Sequence, residues 1–279
     1  MPYSAEISRR NPSCIVLLID QSGSMSDPFG NGETAQSKAE GVATVTNKFL
    51  QNLVVKCARD EGVRDFFHIA VIGYGARVGN ALGGQLAGRD LMPLSEAANA
   101  PLRVEERTKK VDDGAGGLLD QTIRFPVWME PIADNGTPMC QALTRARSLL
   151  EGWLRDHADS FPPIVVNVTD GEATDGDPSI PATALRALAT SDGNALLFNV
   201  HLSSNRAAKI EFPDSEIGLP DEFARRLFTM SSVLPETTRT FAQQEGYPTS
   251  ENTRGFTFNA DIVALIQFLD IGTRPSNLR

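Results

Sequence analysis

Short apolar runs rich in β-branched residues punctuate the chain: Cys14 to Asp20 (CIVLLID), Phe66 to Tyr74 (FFHIAVIGY), Ile164 to Asp170 (IVVNVTD) and Ala195 to Leu202 (ALLFNVHL). Runs this short, bounded by turn formers, predict strands, and their nearly continuous apolarity predicts strands covered on both faces. Gly255 to Phe258 adds a short fifth. Between them the period changes to helical. Ala39, Val42, Phe49, Leu53 and Cys57 recur at helical steps within Ala35 to Cys57, and Met139, Ala142, Leu143, Ala146, Leu149, Leu150 and Trp153 do so more cleanly. Phe223, Leu227 and Met230 mark another helix, and a last one spans about Asp261 to Leu269 behind a cap at Asn259 or Asp261. Alternating strands and helices predict an α/β fold: a doubly wound, mostly parallel central sheet with helices on both faces.

The pattern breaks between Gly75 and Asn135, where Gly83, Gly84, Gly88, Pro93 and Pro101 interrupt any period and a charged stretch runs from Arg103 to Lys110. Residues 76–134 therefore read as an insertion. Within it Ile123, Phe125, Val127 and Met129 alternate with Arg124, Pro126, Trp128 and Glu130, and Asp112 to Gly117 supplies turn chemistry, so a β-hairpin is expected, with Pro126 confining it to a sheet edge.

Composition narrows the function. The 279 residues are enough for one large domain, and 41% apolar with 22% charged side chains is ordinary globular usage. A net charge of −9 disfavours nucleic acid and anionic membrane as partners. No apolar run approaches the roughly 20 residues needed to span a bilayer, and the run after Arg9 and Arg10 is too short for a secretory leader. Cys14, Cys57 and Cys140 lie far apart, which suits neither a disulfide framework nor a zinc site and makes them core fillers. A cytoplasmic location without membrane insertion is the expectation.

Both strongest strands end in an aspartate followed by a polar, glycine-bearing loop: Asp20-Gln21-Ser22-Gly23-Ser24 and Asp170-Gly171-Glu172. In an open parallel sheet the carboxyl ends of the strands form the ligand crevice, which puts both acids at the functional edge. Gly23 between Ser22 and Ser24 lets one tight loop turn both hydroxyls inward beside Asp20, and hydroxyl with carboxylate oxygens suit a hard cation such as Mg²⁺. Two acids at one site repel in the absence of an ion, so at least one carboxyl group should titrate high. Asn135-Gly136-Thr137-Pro138 precedes the cleanest helix, with Thr137 where an N-cap belongs and Pro138 at the first helical position. Taken alone, Thr137 is a cap.

Together these three elements resemble the metal-ion-dependent adhesion site of the von Willebrand factor A (VWA) domain family: Asp-x-Ser-x-Ser after the first strand, a threonine in a later loop, and Asp-Gly after the fourth strand. The resemblance covers about residues 12–273 as one domain with the insertion inside it and with tails at 1–11 and 274–279. It implies a Rossmann-like fold in which Asp20, Ser22, Ser24, Thr137 and Asp170 hold Mg²⁺, or Mn²⁺ or Ca²⁺, with the two serines as direct ligands and Thr137 changing with state. It further implies a protein-interaction module rather than an enzyme, whose ion bridges to a Glu or Asp carboxylate of a partner. Absence of a leader and of disulfides makes the chain look like the intracellular bacterial branch, some of whose members work in signalling or stress-response complexes beside protein kinases, phosphatases or AAA+ ATPases. The stretch from Met25 to Glu33 and the insertion depart from the compact pattern.

One rival comes from another class, a Mg²⁺-dependent phosphohydrolase using Asp20 as nucleophile. Ser22 replaces the second acid such enzymes carry two residues on, and no lysine stands out in the motif loops. Glu172, Asp175 and Asp177 read as a solvated acidic loop, with Asp177 capping the next helix. His68, His157 and His201 are single and widely spaced, and read as packed side chains.

Overall fold

The computed structural model describes residues 3–29, 36–112, 118–202 and 208–273. The chain runs β1 (Ser13–Asp20), α1 (Lys38–Cys57), a small hairpin of β2 (Ala58–Arg59) and β3 (Gly62–Val63), then β4 (Phe67–Tyr74), β5 (Val78–Asn80) and β6 (Met92–Pro93). There follow α2 (Leu94–Asn99), β7 (Arg103–Asp112), β8 (Leu118–Val127), α3 (Met139–Leu154), β9 (Ile164–Thr169) and α4 (Ser179–Arg186). A second small hairpin of β10 (Ala189–Thr190) and β11 (Gly193–Asn194) leads to β12 (Leu196–His201) and β13 (Ile210–Glu211). The chain then continues through α5 (Glu222–Met230), α6 (Glu236–Gln244), β14 (Phe256–Phe258) and α7 (Ile262–Thr273).

The main sheet has the order β13-β14-β12-β9-β1-β4-β5, with β6 also pairing β4. Pairing is parallel through β14, β12, β9, β1 and β4, and antiparallel only where β13, β5 and β6 join. Strand alternation divides β1 between two apolar layers. Ile15, Leu17 and Ile19 pack with α1, α2 and α7, while Cys14, Val16 and Leu18 pack with α3, α4 and α5. This is the doubly wound α/β architecture that the apolar runs predict. No helix among the described residues is long and apolar enough to cross a membrane.

The expected hairpin forms as β7 and β8, paired antiparallel from Arg103↔Val127 to Asp112↔Leu118, with Pro126 opposite Val104. It is a separate two-stranded sheet rather than an edge of the main one; β5 makes that edge. Residues 113–117 of the expected turn lie outside the described residues, as do 30–35 of the lead into α1. Sequence periodicity also missed α2 and α6, each of nine residues or fewer and too brief to show a repeated face, while α4 is expected only as the helix that follows Asp177. Cys14 and Cys57 are buried as expected, but Cys140 is only half-buried.

Two buried polar devices hold this frame. Across the sheet, the Tyr74 hydroxyl donates to Asn167 Oδ1 at 2.7 Å, Asn167 Nδ2 to Asn199 Oδ1 at 3.0 Å, and Asn199 Nδ2 to Ser231 Oγ at 2.9 Å. On the other face Asn47 of α1 anchors the exit of the hairpin: its Oδ1 accepts from the backbone of Trp128 (2.8 Å) and Met129 (3.0 Å), and its Nδ2 donates to the Met129 carbonyl (2.9 Å). Asn47→Ala strands three buried backbone groups, so unfolding in urea should show a loss of about 3 kcal/mol. A loss under about 1 kcal/mol would mean that other groups or water satisfy that backbone.

Candidate functional site

β1 and β9 are neighbours in register Ile19↔Val168, so the residues that follow, Asp20 and Thr169, end side by side. Their contact is direct: Thr169 Oγ1 donates to Asp20 Oδ2 at 2.6 Å, and the Ser22 backbone N–H donates to Asp20 Oδ1 at 2.8 Å. Asp20 is 1% exposed. Burial pushes its carboxyl pKa up to about 6 against the hydrogen bonds from Ser22 and Thr169, with the Asp170 charge adding a smaller upward push. The direction matches the expectation from paired acids, but desolvation is the larger cause.

Residues after Asp20 turn at once into a short 3₁₀ helix, Gly23–Ser26, with Met25 fully buried beneath it as an anchor. The turn brings Ser22 Oγ within 3.1 Å of Ser24 Oγ, and Ser24 Oγ donates to Asp170 Oδ1 at 2.7 Å. The Asn135 loop is laced to this turn through the backbone: Gly23 N–H donates to Asn135 O (2.8 Å) and Asp134 N–H to Gln21 O (2.7 Å). Asn135 takes a left-handed φ of +66°, a conformation asparagine tolerates better than most residues. Gly75 is required beneath, because a Cβ there would lie 2.5 Å from Gln21 O and 2.8 Å from Asp134 O.

Thr137 does not cap α3. The N-cap position is Pro138, which has no side-chain cap, and the first amides of the helix are taken from across the site: Cys140 N–H and Gln141 N–H donate to Asp175 at 3.0 and 2.9 Å. Asp175 is thus a cap for α3 rather than part of a solvated loop; Asp177, expected to cap the next helix, accepts from Ser179 N–H but stands one residue before the N-cap Pro178, and Glu172 is exposed. Thr137 is instead held by a reciprocal pair with Thr174: its N–H donates to Thr174 Oγ1 (3.0 Å) and its carbonyl accepts from Thr174 N–H (2.9 Å). A Cβ built on Gly171 would lie 3.5 Å from Thr137 Oγ1 and 3.8 Å from Ser24 Oγ. Glycine at this position keeps the space between those hydroxyls clear.

Of the five sequence-predicted residues, Asp20, Ser22, Ser24 and Asp170 are therefore linked by hydrogen bonds over the ends of β1 and β9, and the Thr137 hydroxyl faces the same space beside Gly171. Their donor set fits a hard divalent ion. Ligands at adjacent corners of an octahedron with metal–oxygen distances near 2.1 Å lie about 3 Å apart. The Ser22–Ser24 and Ser24–Asp170 separations of 3.1 and 2.7 Å are close to that spacing. Among the described residues no group of three or more His, Cys, Asp and Glu side chains is gathered for a metal, so the donors here are hydroxyls around two acids.

One side chain in contact with the site escaped sequence reasoning. Lys38, the first residue of α1, is 3% exposed and places its Nζ 2.7 Å from Asp170 Oδ2 and 3.6 Å from Asp27 Oδ2. It lies outside every motif loop, and only its position at a helix start beside the Ser37 to Glu40 capping box could have drawn notice. The histidines take no part in this ligand set. His201 is buried, stacked on Phe258, with burial lowering its pKa to about 4; His68 accepts from Trp153 Nε1 at 2.9 Å, and His157 stacks on Trp153.

No protein-family model matches the chain, and no curated protein matches it. Among solved structures it is similar to the manganese-loaded TRAP protein of Plasmodium vivax at 15% identity, over 96% of this chain and 76% of that one, with a TM-score of 0.44. It is also similar to the vWF domain of the type V pili tip protein Mfa5 from Porphyromonas gingivalis at 17% identity, over 58% of this chain and 38% of that one, with a TM-score of 0.31.

The raised Asp20 pKa predicts a pH signature in chelator-treated protein. Its contribution to stability is full below the unfolded carboxyl value of about 3.8 and is lost as pH rises through about 6, because only the folded state resists ionisation. The stability difference between wild type and Asp20→Asn should therefore fall across that window and level off above it. A difference independent of pH in urea unfolding would refute the assignment.

Proposed function

We propose that this chain is a VWA-type interaction module in which a divalent cation, Mg²⁺ or Mn²⁺, is held by Ser22, Ser24, Thr137, Asp20 and Asp170 and receives a Glu or Asp carboxylate from a partner protein. The observation that carries the proposal is the convergence of three hydroxyls and two carboxylates from three separate loops at the carboxyl ends of adjacent parallel strands. When bound, the ion supplies positive charge that a carboxylate can approach in a partly dry site. The chain supplies the rest: Asp20 and Asp170 offset the ion's charge, and the exposed Ser24 leaves the site open toward solvent. We place the module in an intracellular signalling or stress-response complex, beside a kinase, phosphatase or AAA+ ATPase, on the sequence resemblance and on three cysteines that are all free.

A phosphohydrolase mechanism through Asp20 fits poorly. A nucleophilic carboxylate must reach a phosphorus atom in line, yet Asp20 is 1% exposed and both of its oxygens accept hydrogen bonds from the protein. Phosphatase turnover that depends on Mg²⁺ and vanishes in Asp20→Asn would overturn the non-enzymatic assignment.

Thermal melts in EDTA and then in millimolar Mg²⁺ or Mn²⁺ test the site. An ion at 100 times its dissociation constant adds about 2.7 kcal/mol, a rise of roughly 5 to 10 °C for a chain of this size. Ser24→Ala and Thr137→Ala should each reduce that rise. Thr137→Ala should leave the metal-free melting temperature nearly unchanged, because Thr137 caps no helix. No rise in wild type, or equal rises in all three proteins, would refute the ligand set.

A further inference from the structure

Lys38 is an unusual occupant of its position. An ammonium in the first turn of a helix opposes the helix dipole, and the start of α1 is already held without it: Ser37 accepts from Glu40 N–H while Glu40 accepts from Ser37 N–H. Burying a lysine beside an acid seldom stabilises a fold more than an apolar side chain of the same size would. Yet Lys38 Nζ sits 2.7 Å from Asp170 Oδ2, with side-chain exposures of 3% and 0%. The other oxygen of Asp170 accepts from Ser24 Oγ. Both Asp170 oxygens are thus engaged, one by a cation and one by a hydroxyl.

We propose that Lys38 is a tethered counter-cation of Asp170 that sets how tightly the site holds a divalent ion, a role that rests on the metal-site assignment above. With Lys38 in place the pair Asp20 and Asp170 presents about one net negative charge rather than two, and an incoming ion meets a positive charge in contact with the same carboxylate. Asp27, half-exposed and 3.6 Å from Nζ, is the acceptor Lys38 retains when Asp170 turns to the ion. The lysine keeps the buried acid compensated in the metal-free protein and lowers the affinity for the ion in return. It acts through Asp170 and is a positioning residue, not a ligand.

Lys38→Met keeps the length and removes the charge, whereas Lys38→Arg keeps the charge. Titration calorimetry with Mn²⁺ should show Lys38→Met binding about tenfold or more tighter than wild type and Lys38→Arg close to wild type. The metal-free Lys38→Met protein should melt lower than wild type, and its rise on adding Mn²⁺ should be larger. A merely structural lysine would lower the melting temperature without tightening the ion. Equal or weaker Mn²⁺ binding by Lys38→Met, with wild type binding, overturns the counter-cation alone; no binding by either protein overturns the metal site as well. Should Lys38→Met fail to fold, the ammonium resonance of Lys38 in wild type, assigned by its loss in Lys38→Arg, serves instead. Its signal should move as Mg²⁺ is added, and an unmoved signal under saturating Mg²⁺ overturns the proposal.

Discussion

A carboxylate at 1% exposure is the constraint around which the top of this molecule is arranged. Asp20 ends an inner strand of the sheet, where water is scarce, and a buried acid is tolerated only with donors on both oxygens. One donor comes from its own turn, the Ser22 N–H, and the other from the next strand, the Thr169 hydroxyl. The second bond demands the parallel register of β1 with β9, which is set by apolar side chains packed in two layers. Asp170, one residue beyond Thr169, then falls beside Ser24, where Lys38 takes its second oxygen. Sheet packing and site geometry are in this sense one problem, solved by the same strand pair.

The floor under the site is polar as well as apolar. Tyr74, Asn167, Asn199 and Ser231 form a hydrogen-bonded chain beneath the strand ends, and each member is fully buried. Such a chain is costly unless complete, so it favours one strand arrangement over its alternatives. The loops above inherit that rigidity through backbone bonds from Gly23 to Asn135 and from Asp134 to Gln21.

Legibility in the sequence followed the same division. Strands β1, β4, β9 and β12 were visible because each is a continuous apolar run, and α1 and α3 because each repeats one buried face over four turns or more. The Asp20 and Asp170 loops were visible because they follow such runs directly. What was hidden depends on partners distant in sequence: Lys38 meets Asp170 across 132 positions, and Asp175 caps α3 across 35. Local pattern assigned the cap to Thr137 because the motif before a helix looks the same whether or not its hydroxyl turns back to the helix. The hairpin's strands were readable from their alternation, but its separation from the sheet edge was not, because an edge strand and a free ribbon share the same period.

Charge joins the site to the proposed partner chemistry. A chain with a net charge of −9 repels an acidic partner at long range, so a carboxylate can dock only where positive charge is concentrated locally. Two neighbouring acids in a low-dielectric site concentrate that charge by holding a cation, and they are themselves unstable together without one. The protein places a cation of its own at this site, Lys38, on Asp170. A monovalent, tethered charge keeps the pocket shaped but leaves no spare positive charge for an external carboxylate. Only a divalent ion does both, and in the proposed function this makes partner capture depend on metal.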